Sequence, residues 1–153
     1  LRELNPRLVY TSISAFGRTG PKAADPGYEA LMQAYTGVMD MTGYPDGEPA
    51  RCGVSFLDMS TGISSALATV SALYRRERTG QGCRAEASLL QTALGLMTTQ
   101  VSNFFQHETV PRRIGTAHPS VCPYQAFPTA DGRIFIAAAN QNLWERLCRA
   151  IGR

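Results

Sequence analysis

The most informative segment of the chain is Arg51–Leu94, RCGVSFLDMSTGISSALATVSALYRRERTGQGCRAEASLLQTAL. A single acid, Asp58, heads an uncharged segment of roughly four helical turns with apolar residues at helical spacing. A basic hinge and a turn at 79–82 follow, and then a short strand-like run at 84–88 leads into a second apolar helix at 89–105. This order of helix, strand and helix predicts part of an α/β layer.

The flanking segments extend the same pattern. Upstream, β-branched residues and turn signals predict a buried strand at 8–13, and a helix is expected at 28–39 with apolar residues on one face. Downstream, Asp131-Gly132 between two apolar runs predicts a hairpin, and Asn140 is expected to cap a final helix. We therefore expect the α/β class, with a parallel sheet in the first two-thirds of the chain.

The character of the sequence changes after residue 107. Residues 108–123 are rich in proline, arginine and glycine, and we expect a linker there. It would join a partial large domain at 1–107 to the start of a small domain at 124–153. A hairpin and one helix are too small to bury a core of their own, so we expect them to pack on another part of the protein. On this interpretation the chain is truncated at both ends.

Composition and charge narrow the functional classes. The 153 residues are 44% hydrophobic and 18% charged, which is typical of a folded globular chain. The net charge of +3 comes without the basic stripe and interleaved aromatics of a nucleic-acid binder. No unbroken apolar run approaches the ~20 residues of a membrane span, and the N-terminus lacks a signal-peptide pattern. We therefore expect a cytoplasmic protein that binds neither nucleic acid nor membrane.

Several common site motifs have little support. The four cysteines lie far apart with no CxxC or HxxxH pairing, so we expect reduced thiols and neither a metal site nor a disulfide framework. Two glycine-bearing loops, 12–20 and 79–82, match neither GxGxxG nor GxxxxGK[ST] and are expected to be turns rather than phosphate cradles. No serine or cysteine has the sequence context of a catalytic triad.

Asp58 has two interpretations at the start of its helix. Aspartate is favoured as an N-cap, where its carboxylate accepts hydrogen bonds from backbone N–H groups and complements the helix dipole. The spacing alone favours this structural role. The alternative is a reactive carboxylate, and the two are compatible because a helix N-terminus can hold a carboxylate ionised and oriented.

Five stretches in order along the chain resemble the family III CoA-transferases, the formyl-CoA, carnitine and related transferases that share a fold with alpha-methylacyl-CoA racemase. They are NPRLVYTSISAFGRTGP, DPGYEALMQAYTGVMDMTGYPDGEP, GVSFLDMSTGISSALATVSAL, RTGQGCRAEASLL and HPSVCPYQAFPTADGRIFIAAANQNLWERLC. One stretch alone is a weak signal, whereas five in family order are specific. The resemblance implies part of a Rossmann-like parallel α/β large domain followed by the start of a smaller α+β domain. It also implies an interlocked homodimer and whole members considerably longer than this chain.

In that family the acid matched by Asp58 is the nucleophile. Its carboxylate attacks the acyl-CoA thioester to give a mixed anhydride and releases CoA thiolate, which returns to give an aspartyl thioester. A carboxylic acid acceptor then receives the CoA by a similar exchange. Because a carboxylate is ionised at neutral pH, this chemistry needs no Ser–His or Cys–His pair. The resemblance thus implies an acyl-CoA:carboxylate CoA-transferase with a coenzyme A thioester as substrate, no covalently bound cofactor and no metal.

Further residues enter through the resemblance as CoA contacts. Tyr28 matches a family tyrosine beside the CoA, and Ser14 falls on a loop position that contacts the nucleotide end. The chain departs here from formyl-CoA transferase, which carries lysines at the Ser14 position and just before the tyrosine. Lys22 and Arg18 are the candidates to replace those lysines.

The racemase branch differs in the loop before this tyrosine. It has a His–Asp pair where this chain has Ala24 and Asp25, so the acid is kept and the imidazole is lost. A two-base proton transfer needs a group on each face of the α-carbon, which disfavours racemase activity. Asp25 is instead expected to cap the next helix. His118 matches the crossing into the small domain, where it either lines the acyl pocket or belongs to a plain linker.

Three hypotheses remain open from the sequence. The first is a CoA-transferase with Asp58 as nucleophile. The second is a non-catalytic remnant of the same fold that oligomerises through apolar surface. The third is a 2-methylacyl-CoA racemase or epimerase in which Asp58 and Asp25 share the proton transfer. The residues identify neither the acyl donor nor the acceptor acid.

Overall fold

The computed structural model describes all 153 residues and divides into two compact units. The N-terminal unit consists of Leu1–Met39 and Arg51–Pro111, and the C-terminal unit of Asp40–Ala50 and Arg112–Arg153. The sequence-based boundaries did not group residues 40–50 with the C-terminal segment. Each unit has its own two-stranded sheet.

The N-terminal unit is a parallel α/β structure, as predicted. Its elements are β1 (Tyr10–Ser14), α1 (Glu29–Tyr35), the first half of α2 (Val38–Met41), α3 (Phe56–Thr79), β2 (Arg84–Ser88), α4 (Leu89–Leu96) and α5 (Thr98–His107). Strands β1 and β2 pair in parallel, with Tyr10 opposite Arg84 and Ser14 opposite Ser88. The predicted strand at 84–88 is confirmed to the residue, and Gly80, in a left-handed conformation, ends α3 and makes the predicted turn.

The core of this unit lies where β1, α1, α3 and α4 meet. Its buried members are small or flexible apolar residues: Ala15, Met32, Leu57, Leu89 and Ala93. Leu57 is fully buried and directly precedes Asp58, so packing in the core fixes the first turn of α3. Burial of Leu57 therefore anchors the neighbouring candidate nucleophile, Asp58.

Two helices predicted as continuous are each broken once. The helix expected at 28–39 ends at Tyr35, because Gly37 adopts a left-handed φ of 81° before α2 begins. The helix expected at 89–105 is interrupted at Met97, whose φ and ψ of −86° and 28° separate α4 from α5. Glycine takes the left-handed region without strain, which explains the first break.

Helix α3 corrects one expectation about membranes. By length and composition alone its 24 residues would allow it to cross a membrane, which a search for unbroken apolar runs overlooks. Serine and threonine interrupt the run, yet within the helix the hydroxyls of Ser65 and Thr69 donate to carbonyls one turn back. Thr69 also bonds Thr11 of β1 at 2.6 Å, a contact of the folded domain. One such helix is weak support for a membrane location.

The C-terminal unit contains the predicted hairpin and the final helix. Strands β3 (Tyr124–Pro128) and β4 (Arg133–Ala137) pair antiparallel. Helix α6 (Gln141–Ala150) begins after Asn140, whose side chain accepts a hydrogen bond of 3.0 Å from the backbone N–H of Leu143. The predicted cap is therefore confirmed.

Residues 40–50 join this unit through contacts with the segment expected to be a linker. The guanidinium of Arg113 donates to the backbone oxygen of Asp40 at 2.9 Å, and the N–H of Gly115 donates to the oxygen of Gly43 at 2.9 Å. Gly115 lies so close to the ring of Tyr44 that an added Cβ would come within 2.8 Å of it. The segment after residue 111 therefore takes part in specific packing.

Candidate active site

Asp58 lies in the first turn of α3 as the third helical residue, so the expectation of an N-cap was wrong. The N-cap is Ser55, whose side chain makes no capping hydrogen bond. The side chain of Asp58 is exposed, and no hydrogen bond or ion pair engages its carboxylate. A carboxylate in this position is free to contact a ligand.

The capping carboxylate belongs to Glu29 of α1. Its Oε2 accepts from the N–H of Asp58 at 2.7 Å, and its Oε1 accepts from the N–H of Leu57 at 3.3 Å. Glu29 is only 6% exposed. A buried carboxylate therefore supplies the hydrogen-bond acceptors that the start of α3 requires.

Gln33 completes this arrangement one turn further along α1. Its Nε2 donates to Oε1 of Glu29 at 2.6 Å, and its own Oε1 accepts from the N–H of Cys52 at 2.8 Å. Gln33 has no exposed surface. Sequence reasoning missed both residues, although an acid and an amide four residues apart on a predicted helix were the signal that could have found them.

Tyr28 directly precedes Glu29 and is the N-cap residue of α1. Its side chain is 80% exposed, and its extended backbone leads into the helix that holds the start of α3. The preceding Gly27 lies close to Ala15 and Met32: an added Cβ would lie 2.6 Å from the Cβ of Ala15 and 3.0 Å from the sulfur of Met32. The loop can pack on the end of β1 only without a side chain at this position.

Ser14 ends β1 and is half-buried. Its hydroxyl oxygen accepts a hydrogen bond of 3.1 Å from the N–H of Gly17, which stabilises the loop that follows. The hydroxyl hydrogen stays available for donation. The structure thus gives Ser14 a local role that does not exclude a ligand contact.

Asp25 does not cap α1, so that expectation was also wrong. Its carboxylate pairs with Lys22 at 2.9 Å, and both Asp25 and its neighbour Ala24 are exposed. The hydrogen bond and the charge of Asp25 raise the pKa of Lys22. Lys22 also lies 5.5 Å and 5.6 Å from the ring centroids of Phe16 and Tyr35.

The two basic residues considered as replacements for the family lysines are already paired. Lys22 contacts Asp25, and Arg18 lies 3.8 Å from the carboxylate of Glu86. These pairs are exposed, so a ligand phosphate could compete for the cations at modest cost. Neither pair by itself marks a nucleotide site.

His118 belongs to the C-terminal unit, whereas the other five candidate residues belong to the N-terminal unit. Its Nδ1 accepts from the N–H of Ser120 at 3.1 Å, and its ring contacts that of Tyr124 edge-to-face at 5.3 Å. The imidazole therefore packs against the start of β3. No group of three or more His, Cys, Asp or Glu side chains is arranged to hold a metal ion.

Known proteins similar to this chain are CoA-transferases. CoA-transferase family III matches residues 1–153. The chain is 41% identical over 152 residues to the succinate–glutarate CoA-transferase of Agrobacterium fabrum, and 39% identical over 153 residues to the acetyl-CoA:oxalate CoA-transferase of Acetobacter aceti. These alignments cover 99% of this chain but 38% and 39% of the relatives.

A solved structure agrees with these sequence matches. The crystal structure of a CAIB/BAIF family protein from Brucella suis superposes with a TM-score of 0.81 and 40% identity, over 99% of this chain and 40% of that one. The chain therefore spans about two fifths of the length of the proteins it matches. The resemblance of the five sequence stretches is confirmed, and the chain belongs to CoA-transferase family III.

Proposed function

We propose that this chain is part of an acyl-CoA:carboxylate CoA-transferase in which Asp58 is the nucleophile. The observation that carries the proposal is the carboxylate of Asp58, which is exposed and unpartnered while the backbone N–H of the same residue is bonded to the buried Glu29. The names of the relatives support the substrate class, since they contain succinate, glutarate and oxalate as acids and succinyl-CoA and acetyl-CoA as thioesters. Dicarboxylic acids are therefore the first acceptors to test.

The proposed reaction is a sequence of acyl exchanges. A carboxylate oxygen of Asp58 attacks the thioester carbon, the carbon–sulfur bond breaks, and CoA leaves as the thiolate. The thiolate attacks the carbonyl carbon of the aspartyl side of the anhydride, which releases the donor acid and leaves an aspartyl-CoA thioester. The acceptor carboxylate then attacks the aspartyl thioester, which gives a new anhydride and releases the CoA thiolate. The thiolate attacks the acceptor side of this anhydride, which forms the new acyl-CoA and regenerates Asp58 without an external oxidant or base.

The remaining candidate residues are assigned to substrate contacts. Tyr28 offers an exposed ring one residue before Glu29, which suits contact with the CoA near Asp58. Ser14 offers a hydroxyl hydrogen for contact with the nucleotide end, and the exposed Ala24-Asp25 loop is proposed to contact the substrate. A contact of His118 with the acyl chain stays a prediction. A homodimer and a cytoplasmic location stay predictions.

No observation favours the racemase alternative. It requires a second acid–base group, and the carboxylate of Asp25 is engaged with Lys22. The non-catalytic alternative is an outcome of the experiment below.

Trapping of the covalent intermediate tests the proposal. The protein that contains this chain is incubated with succinyl-CoA or acetyl-CoA and then with hydroxylamine, which converts an activated aspartyl group into a hydroxamate. Mass spectrometry is expected to find the hydroxamate at Asp58, and labelled CoA is expected to move to glutarate or oxalate. Asp58→Asn is expected to abolish both signals, because an amide cannot form the anhydride.

Asp46 provides the matched control, since it is also an exposed aspartate but lies on a surface turn. Asp46→Asn is expected to retain transfer and trapping. A protein that forms no hydroxamate at Asp58 and transfers no CoA would be the non-catalytic remnant, and a modification found elsewhere would reassign the nucleophile.

A further inference from the structure

The buried carboxylate of Glu29 takes no part in the exchange chemistry, yet it holds the backbone of the proposed nucleophile. Glu29 Oε2 accepts from the N–H of Asp58 itself at 2.7 Å. We propose that Glu29 is a positioning residue for Asp58: it occupies the amide donors of the first turn of α3 and so keeps the Asp58 carboxylate fixed in place and free. The inference rests on the proposed role of Asp58 as nucleophile.

Burial of a carboxylate is unfavourable unless hydrogen bonds and opposite charge compensate for the lost hydration. Glu29 has the hydrogen bonds, since its two oxygens accept three, from Gln33, Leu57 and Asp58. Two of those donors are first-turn amides of α3, where the helix dipole is positive. The bond from the N–H of Asp58, at 2.7 Å, has the length of a charge-assisted hydrogen bond and ties the start of α3 to α1.

The same bonds determine what the Asp58 side chain does. A helix start has unpaired N–H groups, and an acid in the first turn commonly folds back to satisfy one of them. Here the amides of Leu57 and Asp58 are satisfied by Glu29, and Ser55 makes no side-chain cap. Asp58 therefore remains exposed with no acceptor bond, and a carboxylate that accepts fewer hydrogen bonds keeps more of its charge for attack.

Gln33 in turn fixes the side chain of Glu29. It donates to Glu29 at 2.6 Å and accepts from the N–H of Cys52, in the segment that leads into α3. Both ends of its amide are thus used in a site without water access, since Gln33 is fully buried. A substrate-binding role for Glu29 or Gln33 is therefore disfavoured, and positioning is the role their contacts support.

The test compares Glu29→Gln with the wild-type protein that contains this chain. The substitution keeps the size of the side chain, but it removes the charge and turns one acceptor into a donor that faces backbone N–H groups. We expect kcat for CoA transfer to fall about 10- to 100-fold with KM within about threefold, because a displaced nucleophile costs turnover rather than affinity.

Two further measurements do not depend on turnover. Deuterium exchange of the peptide covering residues 55–60 is expected to become faster in Glu29→Gln, because glutamine keeps only one acceptor oxygen for the two amides of Leu57 and Asp58. Carbodiimide-activated amine labelling of Asp58, referenced to exposed Asp46, is expected to slow, because the Asp58 carboxylate turns back to the amide that has lost its acceptor.

Ser88→Ala is the matched control. Ser88 is buried and caps α4 through a 3.2 Å bond from the N–H of Gln91, so its loss weakens a neighbouring helix start without removing a hydrogen bond from the first turn of α3. We expect its effects on exchange at 55–60, on Asp58 labelling and on kcat to be small. Unchanged exchange and labelling in Glu29→Gln, or equal effects in Ser88→Ala, would overturn the inference. A wild type that transfers no CoA would refute the proposed function, while exchange and labelling would still decide the role of Glu29.

Discussion

Two carboxylates have opposite environments at the start of α3. Glu29 is buried and fully hydrogen-bonded, whereas Asp58 is exposed and free. A third, Asp25, is exposed but paired with Lys22. All three residues carry the same functional group, a carboxylate. Their hydrogen-bond and ion-pair partners therefore decide which carboxylate supports structure and which is available for reaction.

The Lys22–Asp25 pair gives a prediction at the residue scale. Asp25 raises the pKa of Lys22 above its ordinary value of 10.5, so any stability from the pair is present below that pH and is lost as pH rises through the folded value. Asp25→Asn is expected to lower the pKa of Lys22 toward 10.5. An NMR titration of the Lys22 side chain measures this shift. Asp46→Asn should leave that titration unchanged, and an unaltered Lys22 pKa in Asp25→Asn would contradict the prediction.

At the scale of elements, the end of β1, the start of α1 and the start of α3 form one packed junction. Ala15 and Met32 belong to the core, and Gly27 lies between them without a side chain. The hydrogen bonds of Glu29 begin two residues later. Packing and capping at this junction therefore depend on each other.

Gly27→Ala is predicted to destabilise the N-terminal unit. The new Cβ would meet the Cβ of Ala15 at 2.6 Å, which only a backbone shift can relieve, so we expect a loss of about 1–3 kcal/mol in the free energy of unfolding. Urea unfolding followed by circular dichroism measures it.

Gly62→Ala is the control for that measurement. Gly62 lies inside α3 and an added Cβ would meet nothing within 4 Å, so alanine is expected to stabilise by about 0.5–1 kcal/mol through its helix propensity. Equal stability of Gly27→Ala and wild type would contradict the steric argument.

At the scale of the whole molecule, much apolar surface is exposed. The accessible surface is 10857 Å², against about 7,600 Å² for a compact monomer of this mass. Nine apolar residues are buried. One face of α3 carries a stripe of large side chains, each more than 60% exposed: Met59, Ile63, Leu67, Val70 and Tyr74.

A polypeptide of residues 1–153 alone is therefore predicted to be marginally stable. We expect a broad urea transition with a low m-value, because m scales with the surface buried on folding, and we expect binding of the dye ANS by exposed apolar surface. A compact monomeric protein of similar length is the reference. A sharp transition without ANS binding would show that the stripe is covered, and light scattering would then report the assembly.

The sequence correctly predicted the elements whose bounds depend on residues a few positions apart. The strand at 84–88 and both strands of the hairpin were correct because glycine-containing turns bound them, and Asn140 was correct because its cap bond reaches only three residues ahead. The break at Met97 was missed, since methionine has no local preference for it. The capping roles of Asp58 and Asp25 were wrong, because their surroundings depend on distant residues.

The amino-acid sequence was enough to identify the family, the order of the elements and Asp58 as the candidate nucleophile, since periodicity and motifs are properties of neighbouring residues. The free carboxylate of Asp58 in the first turn of α3 became visible only in the folded chain. That result depends on a hydrogen bond from its amide to Glu29, 29 residues earlier in the chain. Such a bond forms because folding buries Glu29 beside a helix start that needs an acceptor, and no local pattern encodes that proximity.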